Sequence, residues 1–179
     1  MKFLFIGTSR HFGGAEMHFV AMVRTLLAAG HTVDAVVLPG GSIARALEGS
    51  GARLHAGRFR NLLDLRGYRG AMGAARASRP DVLVGGFAKE YWPVLLLGRW
   101  LRLPVVLFRH RILPMRRLSA WIVPRLADRF FAMSRYARDA HVREGIPAER
   151  VQVLYNPVDV AALRPDPLRR AELMRSLGF

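Results

Sequence analysis

The chain has 179 residues, of which 51% are hydrophobic and 23% are charged, a size and composition that predict one globular domain with a substantial core. It contains no cysteine, which excludes disulfide bonds, thiolate metal sites and a cysteine nucleophile. The 28 lysines and arginines outnumber the 13 acidic residues and give a formal net charge of +15, which predicts an anionic partner such as a phosphorylated small molecule, an anionic lipid surface or nucleic acid.

The predicted elements alternate between strands and helices along the whole chain. Apolar runs bounded by turn residues predict strands at 2–7, 32–38, 53–55, 80–84, 104–108, 129–133 and 151–154. Helical spacing and capping residues predict helices at 15–29, 42–48, 62–78, 90–101, 113–127, 136–144 and 168–177. Continuous apolar strands that alternate with helices are typical of a parallel sheet covered on both faces. The predicted fold class is therefore α/β, with a Rossmann-like, doubly wound, mostly parallel sheet.

The first glycine pair lies where such a sheet binds ligands, at the carboxyl ends of the strands. Gly13 and Gly14 stand directly before the first predicted helix, where free backbone N–H groups and the positive end of the helix dipole would meet a phosphate. A plain loop-to-helix turn is the alternative. The chain lacks the G-x-G-x-x-G dinucleotide fingerprint, which disfavours an NAD or FAD domain.

Two motifs at opposite ends of the chain resemble the family-four retaining glycosyltransferases, which have the two-domain GT-B fold. The first motif consists of Phe12-Gly13-Gly14-Ala15-Glu16 and residues 28–33 (AAGHTV), and the second of residues 134–136 (SRY), 145–147 (GIP) and 150–159 (RVQVLYNPVD). Pro157 departs from the family's commoner Asn-Gly-Val-Asp form. The two motifs occur in the family's order, so the resemblance covers essentially the whole chain.

The resemblance implies that residues 1–179 form one half of a GT-B fold, the N-terminal, acceptor-side domain. In this family the nucleotide and most of the donor sugar bind to a C-terminal domain, which is absent from this chain. The implied activity, when full length, is transfer of a sugar from a UDP- or GDP-linked donor to an envelope glycan, such as lipopolysaccharide, or to a lipid-linked acceptor. The fragment alone is expected to be inactive because half of the cleft is missing.

Site residues follow from the same resemblance, which implies that Gly13 and Gly14 approach the donor diphosphate and that His110 faces the transferred sugar or the acceptor. We therefore take His110 as the catalytic candidate, because a neutral imidazole can hydrogen-bond sugar hydroxyls in either direction. Arg109 and Arg111 beside it could hold developing phosphate charge. A purely structural histidine is the alternative.

Further acceptor or cleft candidates are Lys89, Glu90 and Arg135, of which the first two form a surface ion pair in the alternative interpretation. Ser134 is expected to cap a helix. The chain has no Asp-x-Asp motif, and neither a metal nor another cofactor is expected. No metal-ligand spacing joins the remaining histidines and one aspartate, so we expect structural roles for His11, His18, His31, His55, His141 and Asp159.

A second surface feature is the amphipathic segment 113–125, in which arginines alternate with bulky apolar side chains. It predicts an interfacial patch on an anionic membrane surface, together with Tyr91, Trp92, Arg99, Trp100 and Arg102. Ordinary core with a solvated rim is the alternative. The apolar runs are too short for a signal peptide or a membrane span, so a cytoplasmic location is expected, with peripheral binding to the inner face of the cytoplasmic membrane.

Two other function classes remain open from the sequence. A basic nucleic-acid-binding module is motivated by the net charge, but the chain shows neither a recognition-helix motif nor aromatic residues interleaved on a basic strand, and nucleic acid is disfavoured as a partner. A non-catalytic interaction domain that keeps the fold without the donor half is the third class. In this family the C-terminal, donor-binding domain is a second Rossmann domain with a Glu-x7-Glu element. Such a pattern beyond Phe179 would favour the enzyme over the interaction domain.

Overall fold

The computed structural model describes residues 1–157 and 165–178, and its strands and helices alternate as predicted. The strands are β1 (Lys2–Gly7), β2 (Thr32–Val37), β3 (Arg53–Ala56), β4 (Val82–Gly85), β5 (Val105–Arg109), β6 (Arg129–Ala132) and β7 (Gln152–Val153). The helices are α1 (Gly14–Ala28), α2 (Ser42–Leu47), α3 (Leu65–Ser78), α4 (Tyr91–Leu101), α5 (Arg117–Leu126), α6 (Arg135–Arg143) and α7 (Pro167–Ser176). Two residues of the second motif, Val158 and Asp159, lie outside the described residues.

The strands form one sheet in the order β3-β2-β1-β4-β5-β6-β7, and every pair is parallel. This confirms the predicted fold class. The chain moves outward from β1 to β3, returns to place β4 on the other side of β1, and then continues to β7. The order therefore reverses between β1 and β4, so the loops that follow these two strands diverge and leave a crevice at the carboxyl edge.

Two hydrophobic layers cover the sheet, because successive side chains of a strand point to opposite faces. Phe5 of β1 packs in the layer under α1 and α2, where its ring meets that of Phe19 edge-on at 5.3 Å. Its neighbours Leu4 and Ile6 are fully buried in the other layer, under α3, α4 and α5. β1 is thus buried on both faces, which explains why its sequence is a continuous apolar run rather than an alternating one.

Two helices begin later than predicted, for different reasons. The carboxylate of Asp64 accepts hydrogen bonds from the N–H groups of Gly67 at 3.1 Å and Arg60 at 2.9 Å, so α3 starts after this cap at Leu65 rather than at residue 62. These backbone donors also lower the pKa of Asp64. The predicted helix over 113–127 is wrong at its start, because α5 begins at Arg117.

The segment between β5 and α5 is held in a non-helical conformation by a side chain. The carbonyl of Leu113 accepts a hydrogen bond from the guanidinium of Arg109, and this carbonyl would otherwise start a helical ladder. Pro124 lies inside α5, as predicted. Ser134 caps α6, as predicted, by accepting the N–H of Ala137 at 3.1 Å. Among the described helices, none is both long enough and apolar enough to span a bilayer.

Candidate functional site

An open cavity of about 460 Å³ lies at the carboxyl edge of the sheet, beside the reversal of strand order. Its wall comes from residues 9–11 after β1, residues 15–16 of α1, residues 86–89 and Tyr91 after β4, and residues 109–111 at the end of β5 and just after it. These are neighbouring strands, so residues far apart in the sequence meet here. The cavity therefore lies where the predicted fold class places a ligand.

The predicted donor glycines lie at the start of α1, next to the cavity wall. Gly13 is the N-cap residue of α1 with an extended backbone, and Gly14 is the first helical residue. Both are exposed. A Cβ added to Gly14 would have no atom within 4 Å, and one added to Gly13 would meet only the Glu16 carboxylate at 3.5 Å. Packing among residues 1–157 and 165–178 therefore requires neither glycine, and both leave open space over the helix N-terminus.

Glu16 partly satisfies this helix N-terminus. Its buried carboxylate accepts the N–H of Gly13 at 2.9 Å, which is half of a capping box. The following N–H groups of the first turn have no partner within an α-helix. The start of α1 therefore combines one occupied donor with further donors and the positive end of the helix dipole, an arrangement that favours an approaching anion.

Glu90 is fully buried, with 0% of its surface exposed. The ion pair between Lys89 and Glu90 that the alternative interpretation expects is present, but its acid lies in the interior rather than at the surface. Oε1 of Glu90 accepts hydrogen bonds from the backbone N–H of Thr8 at 3.0 Å and from the Thr8 hydroxyl at 2.7 Å, while Oε2 has no partner among the described residues. Burial raises the pKa of Glu90. Lys89 lines the cavity, lies 3.4 Å from Oε1 of Glu90 and donates to the carbonyl of Thr8 at 2.5 Å. Both side chains thus fasten the loop after β1 to the loop after β4.

His110 lines the cavity and pairs with a second histidine on α1. Its Nε2 lies 3.0 Å from Nδ1 of His18. Burial, assisted by the neighbouring His18, lowers the pKa of His110 to about 4 despite a backbone hydrogen bond at Gly86. Burial also lowers the pKa of His18. Both rings are therefore neutral at pH 7, and a single proton is shared between the two facing nitrogens.

His18 is a site residue that the sequence interpretation assigned to a purely structural role. It is only 4% exposed, and it contacts the catalytic candidate from the other side of the crevice. Its spacing of four residues from Gly14 places both on one face of α1. That spacing was the available signal, because the first helical turn in this fold faces the strand ends.

The arginines beside His110 have different surroundings. Arg109 is only 4% exposed and lies next to the buried hydroxyl of Tyr91, which donates to the carbonyl of Phe108 at 2.6 Å. Arg111 is exposed and lines the cavity. Arg135, the first residue of α6, is exposed and lies outside the cavity wall. The structure therefore brings together every predicted cleft cation except Arg135.

The assembled groups suit an anionic ligand that also carries hydroxyl groups. Four cations line the cavity with one carboxylate, that of Glu16, and the neutral imidazole of His110 can donate to or accept from a hydroxyl. Charge-assisted hydrogen bonds from guanidinium groups favour phosphate or carboxylate oxygens. Within residues 1–157 and 165–178, no cluster of three potential metal ligands occurs.

Comparisons with known proteins agree with this geometry. The profile of Glycosyltransferase Family 4 matches residues 12–162. No curated protein matches the chain.

Several solved structures have a similar fold. HepE of Anabaena, solved in complex with UDP-glucose, is 22% identical, with a TM-score of 0.78 over 99% of this chain and 50% of that chain. A glycosyltransferase from Rickettsia africae is 13% identical, with a TM-score of 0.81 over 98% and 49% of the two chains. The lipopolysaccharide outer core galactosyltransferase WaaB is 17% identical, with a TM-score of 0.62 over 89% and 47%. The chain thus spans about half the length of these proteins, and its fold is that of one half of a GT-B glycosyltransferase.

Proposed function

Because the chain belongs to glycosyltransferase family 4, we propose that it forms the N-terminal, acceptor-side half of a retaining glycosyltransferase. The proposed enzyme moves a sugar from a UDP- or GDP-linked donor to an envelope glycan or a lipid-linked acceptor. The observation that carries this proposal is the cavity at the reversal of strand order, which joins four cations to a neutral histidine. The UDP-glucose complex of HepE and the name of WaaB as a galactosyltransferase support a nucleotide-sugar donor.

In this proposal the start of α1 receives the donor diphosphate. Gly13 and Gly14 keep side-chain atoms away from the first N–H groups of the helix, so phosphate oxygens can approach the backbone closely. The positive end of the helix dipole stabilises the charge that stays on the diphosphate when the sugar leaves. This contribution strengthens as the leaving group gains charge, which is the condition for it to accelerate the reaction.

His110 contacts the transferred sugar or the acceptor in this proposal. Its low pKa keeps the ring uncharged at pH 7, so it orients hydroxyl groups rather than supplying a positive charge. Because Nε2 already faces His18 at 3.0 Å, an incoming hydroxyl must compete with His18 for that nitrogen. The histidine pair therefore holds the ring in place before the sugar arrives and can exchange one hydrogen bond for another.

A transfer assay tests this function. The second half of the cleft is proposed to come from another Rossmann domain, so residues 1–179 alone should give no turnover with UDP- and GDP-linked sugars, because the reacting groups are not held together. The same chain joined to such a domain should release UDP or GDP and form a glycoside with the donor's anomeric configuration, read by proton NMR. Turnover by residues 1–179 alone would contradict the proposal that the second half of the cleft is required. A product with inverted anomeric configuration would contradict a retaining mechanism.

The finer proposal on location concerns three exposed apolar residues of α4 and α5, here together called the Trp patch, which are Trp100, Leu118 and Trp121. Their side chains are 70%, 65% and 60% exposed. The guanidinium of Arg125 lies 5.1 Å from the centroid of the Trp121 ring. Tyr91, expected in this patch, is only 2% exposed and belongs to the core. We propose that the Trp patch and its arginines lie on an anionic membrane, which would bring a lipid-linked acceptor to the cavity.

Vesicle sedimentation tests the membrane proposal. Arg116 precedes α5 and Arg117 begins it, and both are exposed, so Arg116→Glu with Arg117→Glu should leave the fold intact. The double variant should lose binding to phosphatidylserine vesicles, since each cation near such a surface contributes about 1 kcal/mol. Wild-type protein should bind and dissociate as salt rises. The control reverses Arg69 and Arg76, both exposed on α3. Equal vesicle binding by the two double variants would contradict the proposal that the Trp patch and its arginines bind the membrane.

A further inference from the structure

Arg109 is a buried cation without a counter-charge in the described part of the chain. Arg109 is only 4% exposed. Within residues 1–157 and 165–178, no carboxylate forms a salt bridge with it. The guanidinium donates to the carbonyl of Leu113, while Nε has no partner in the part of the chain that the structure describes. Arginine stays protonated in proteins. Burying an unpaired charge is costly, so an anion that arrives from outside would stabilise this position.

The acids nearest to the cavity are already engaged. The carboxylate of Glu16 accepts the N–H of Gly13, and Oε1 of Glu90 accepts both donors of Thr8. Lys89 shares Oε1 of Glu90 and the carbonyl of Thr8. These contacts hold the walls of the cavity together, and among the described residues neither acid forms a salt bridge with Arg109.

The cations that surround the cavity belong to different segments. Arg10 follows β1, Lys89 follows β4, and Arg109 and Arg111 stand at the end of β5 and just after it. Cations from three strand ends that converge on one concave surface raise the local concentration of anions. The guanidinium fork of Arg109 adds geometric selectivity, because it matches the paired oxygens of phosphate and carboxylate.

We propose that Arg109 and Arg111 bind an anionic oxygen group, a phosphate ester or a carboxylate, on a substrate of this site. The inference rests on the proposed glycosyl transfer and adds a charged substrate group to it. This anion position lies on the β5 side of the cavity, whereas Gly13 and Gly14 lie on the α1 side. Two sources share this chemistry: the diphosphate of the donor and an acidic group on the acceptor.

Calorimetric titration with inorganic phosphate tests the anion position on the 179-residue chain. We expect saturable binding of one phosphate at low salt. Arg111→Gln should weaken it about tenfold, the loss that corresponds to one charge-assisted hydrogen bond, and Arg109→Gln should remove it. Arg76→Gln, an exposed arginine on α3, is the matched control and should bind like wild type. Circular dichroism checks that each variant is folded, and the exposed Arg111 decides the test if Arg109→Gln fails to fold.

Competition experiments separate the two sources. Displacement of phosphate by UDP would assign the position to the donor diphosphate. Displacement by glucose 6-phosphate, with UDP leaving phosphate bound, would assign it to an acidic group on the acceptor. Phosphate that resists both competitors would lie outside the cavity and would overturn the inference.

Two further results would overturn the inference. One is the absence of phosphate binding to the wild-type chain, and the other is binding that neither Arg109→Gln nor Arg111→Gln weakens. The proposed function is judged separately by the transfer assay. Sugar transfer without phosphate binding at Arg109 would support the proposed glycosyltransferase function and contradict only the proposal of a charged substrate group.

Discussion

Two glycine pairs flank the cavity, and their surroundings are opposite. A Cβ added to Gly85 or Gly86, at the end of β4, would lie 2.8 Å and 2.9 Å respectively from a core side chain. A Cβ added to Gly14, at the start of α1, would meet nothing within 4 Å. The pair after β4 is therefore required by the chain's own packing. The pair before α1 is not required by packing against the described residues, which leaves room there for a ligand.

The largest expected effect is on stability, at the packed pair. Gly85→Val would push its side chain against Leu107 at 2.8 Å and Val94 at 3.3 Å, and overpacking of this kind costs about 1–3 kcal/mol of unfolding free energy. Urea denaturation measures the loss. The matched control is Gly73→Val on α3, where an added Cβ meets nothing within 4 Å, and it should be as stable as wild type. An equally stable Gly85→Val protein would break the comparison.

The open pair should show the reverse behaviour. Gly14→Val should leave the melting temperature unchanged, because the added atoms point into free space. In the chain joined to a donor-binding domain, the same change should lower kcat/KM for the nucleotide sugar about tenfold or more, since lost phosphate contacts cost at least about 1.4 kcal/mol. Gly73→Val again serves as the control. A kcat/KM equal to that of wild type would show that Gly14 does not contribute to the donor site.

A smaller effect should appear in the pH dependence of stability, because the packed pair also holds His110 through the backbone of Gly86. The pKa of His110 is about 4 in the folded chain against 6.5 ordinarily, so the unfolded chain binds a proton first as the pH falls. Stability should therefore decrease between pH 6.5 and pH 4, by about 1–2 kcal/mol after allowance for solvent screening.

The variant His110→Asn isolates this contribution. Its melting temperature should fall less than that of wild type between pH 7 and pH 4.5, whereas the exposed control His11→Asn should follow wild type. Neighbouring groups also titrate. His18 has a lowered pKa and acts in the same direction, while the raised pKa of Glu90 favours the folded chain at acidic pH and acts in the opposite direction. Parallel curves for wild type and His110→Asn would show that burial does not shift this histidine.

The fold was predictable because its signals are local. Each strand is an apolar run and each helix has its own spacing and caps, so the order of elements follows from short windows of sequence. The site was predictable only as a position, the carboxyl edge of the sheet. The burial of Glu90 depends on Thr8, 82 positions away, and the pairing of His110 depends on His18, 92 positions away. A single sequence carries no signal for contacts across such separations, which is why neither the burial of Glu90 nor the pairing of His110 with His18 was predicted.

The prediction for the start of α5 was wrong for a different reason. Residues 113–116 have an amphipathic pattern that predicts helix, but the guanidinium of Arg109, only four positions upstream, donates a hydrogen bond to the carbonyl of Leu113. A hydrogen bond from a buried side chain thus competes with the helical pattern in the segment that borders the cavity. Irregular structure at a functional edge is where local rules are expected to fail.

The position of β1 in the middle of the sheet has a consequence for synthesis. β1 pairs with β2 on one side and with β4 on the other, and β4 begins only at Val82. At about 5–20 residues per second on the ribosome, the backbone N–H and C=O groups along one edge of β1 stay unpaired for several seconds until β4 is synthesised. An unpaired apolar edge is a template for strands of other chains. Until residues 82–85 leave the ribosome, this edge of the nascent chain stays open to pairing with strands of other chains.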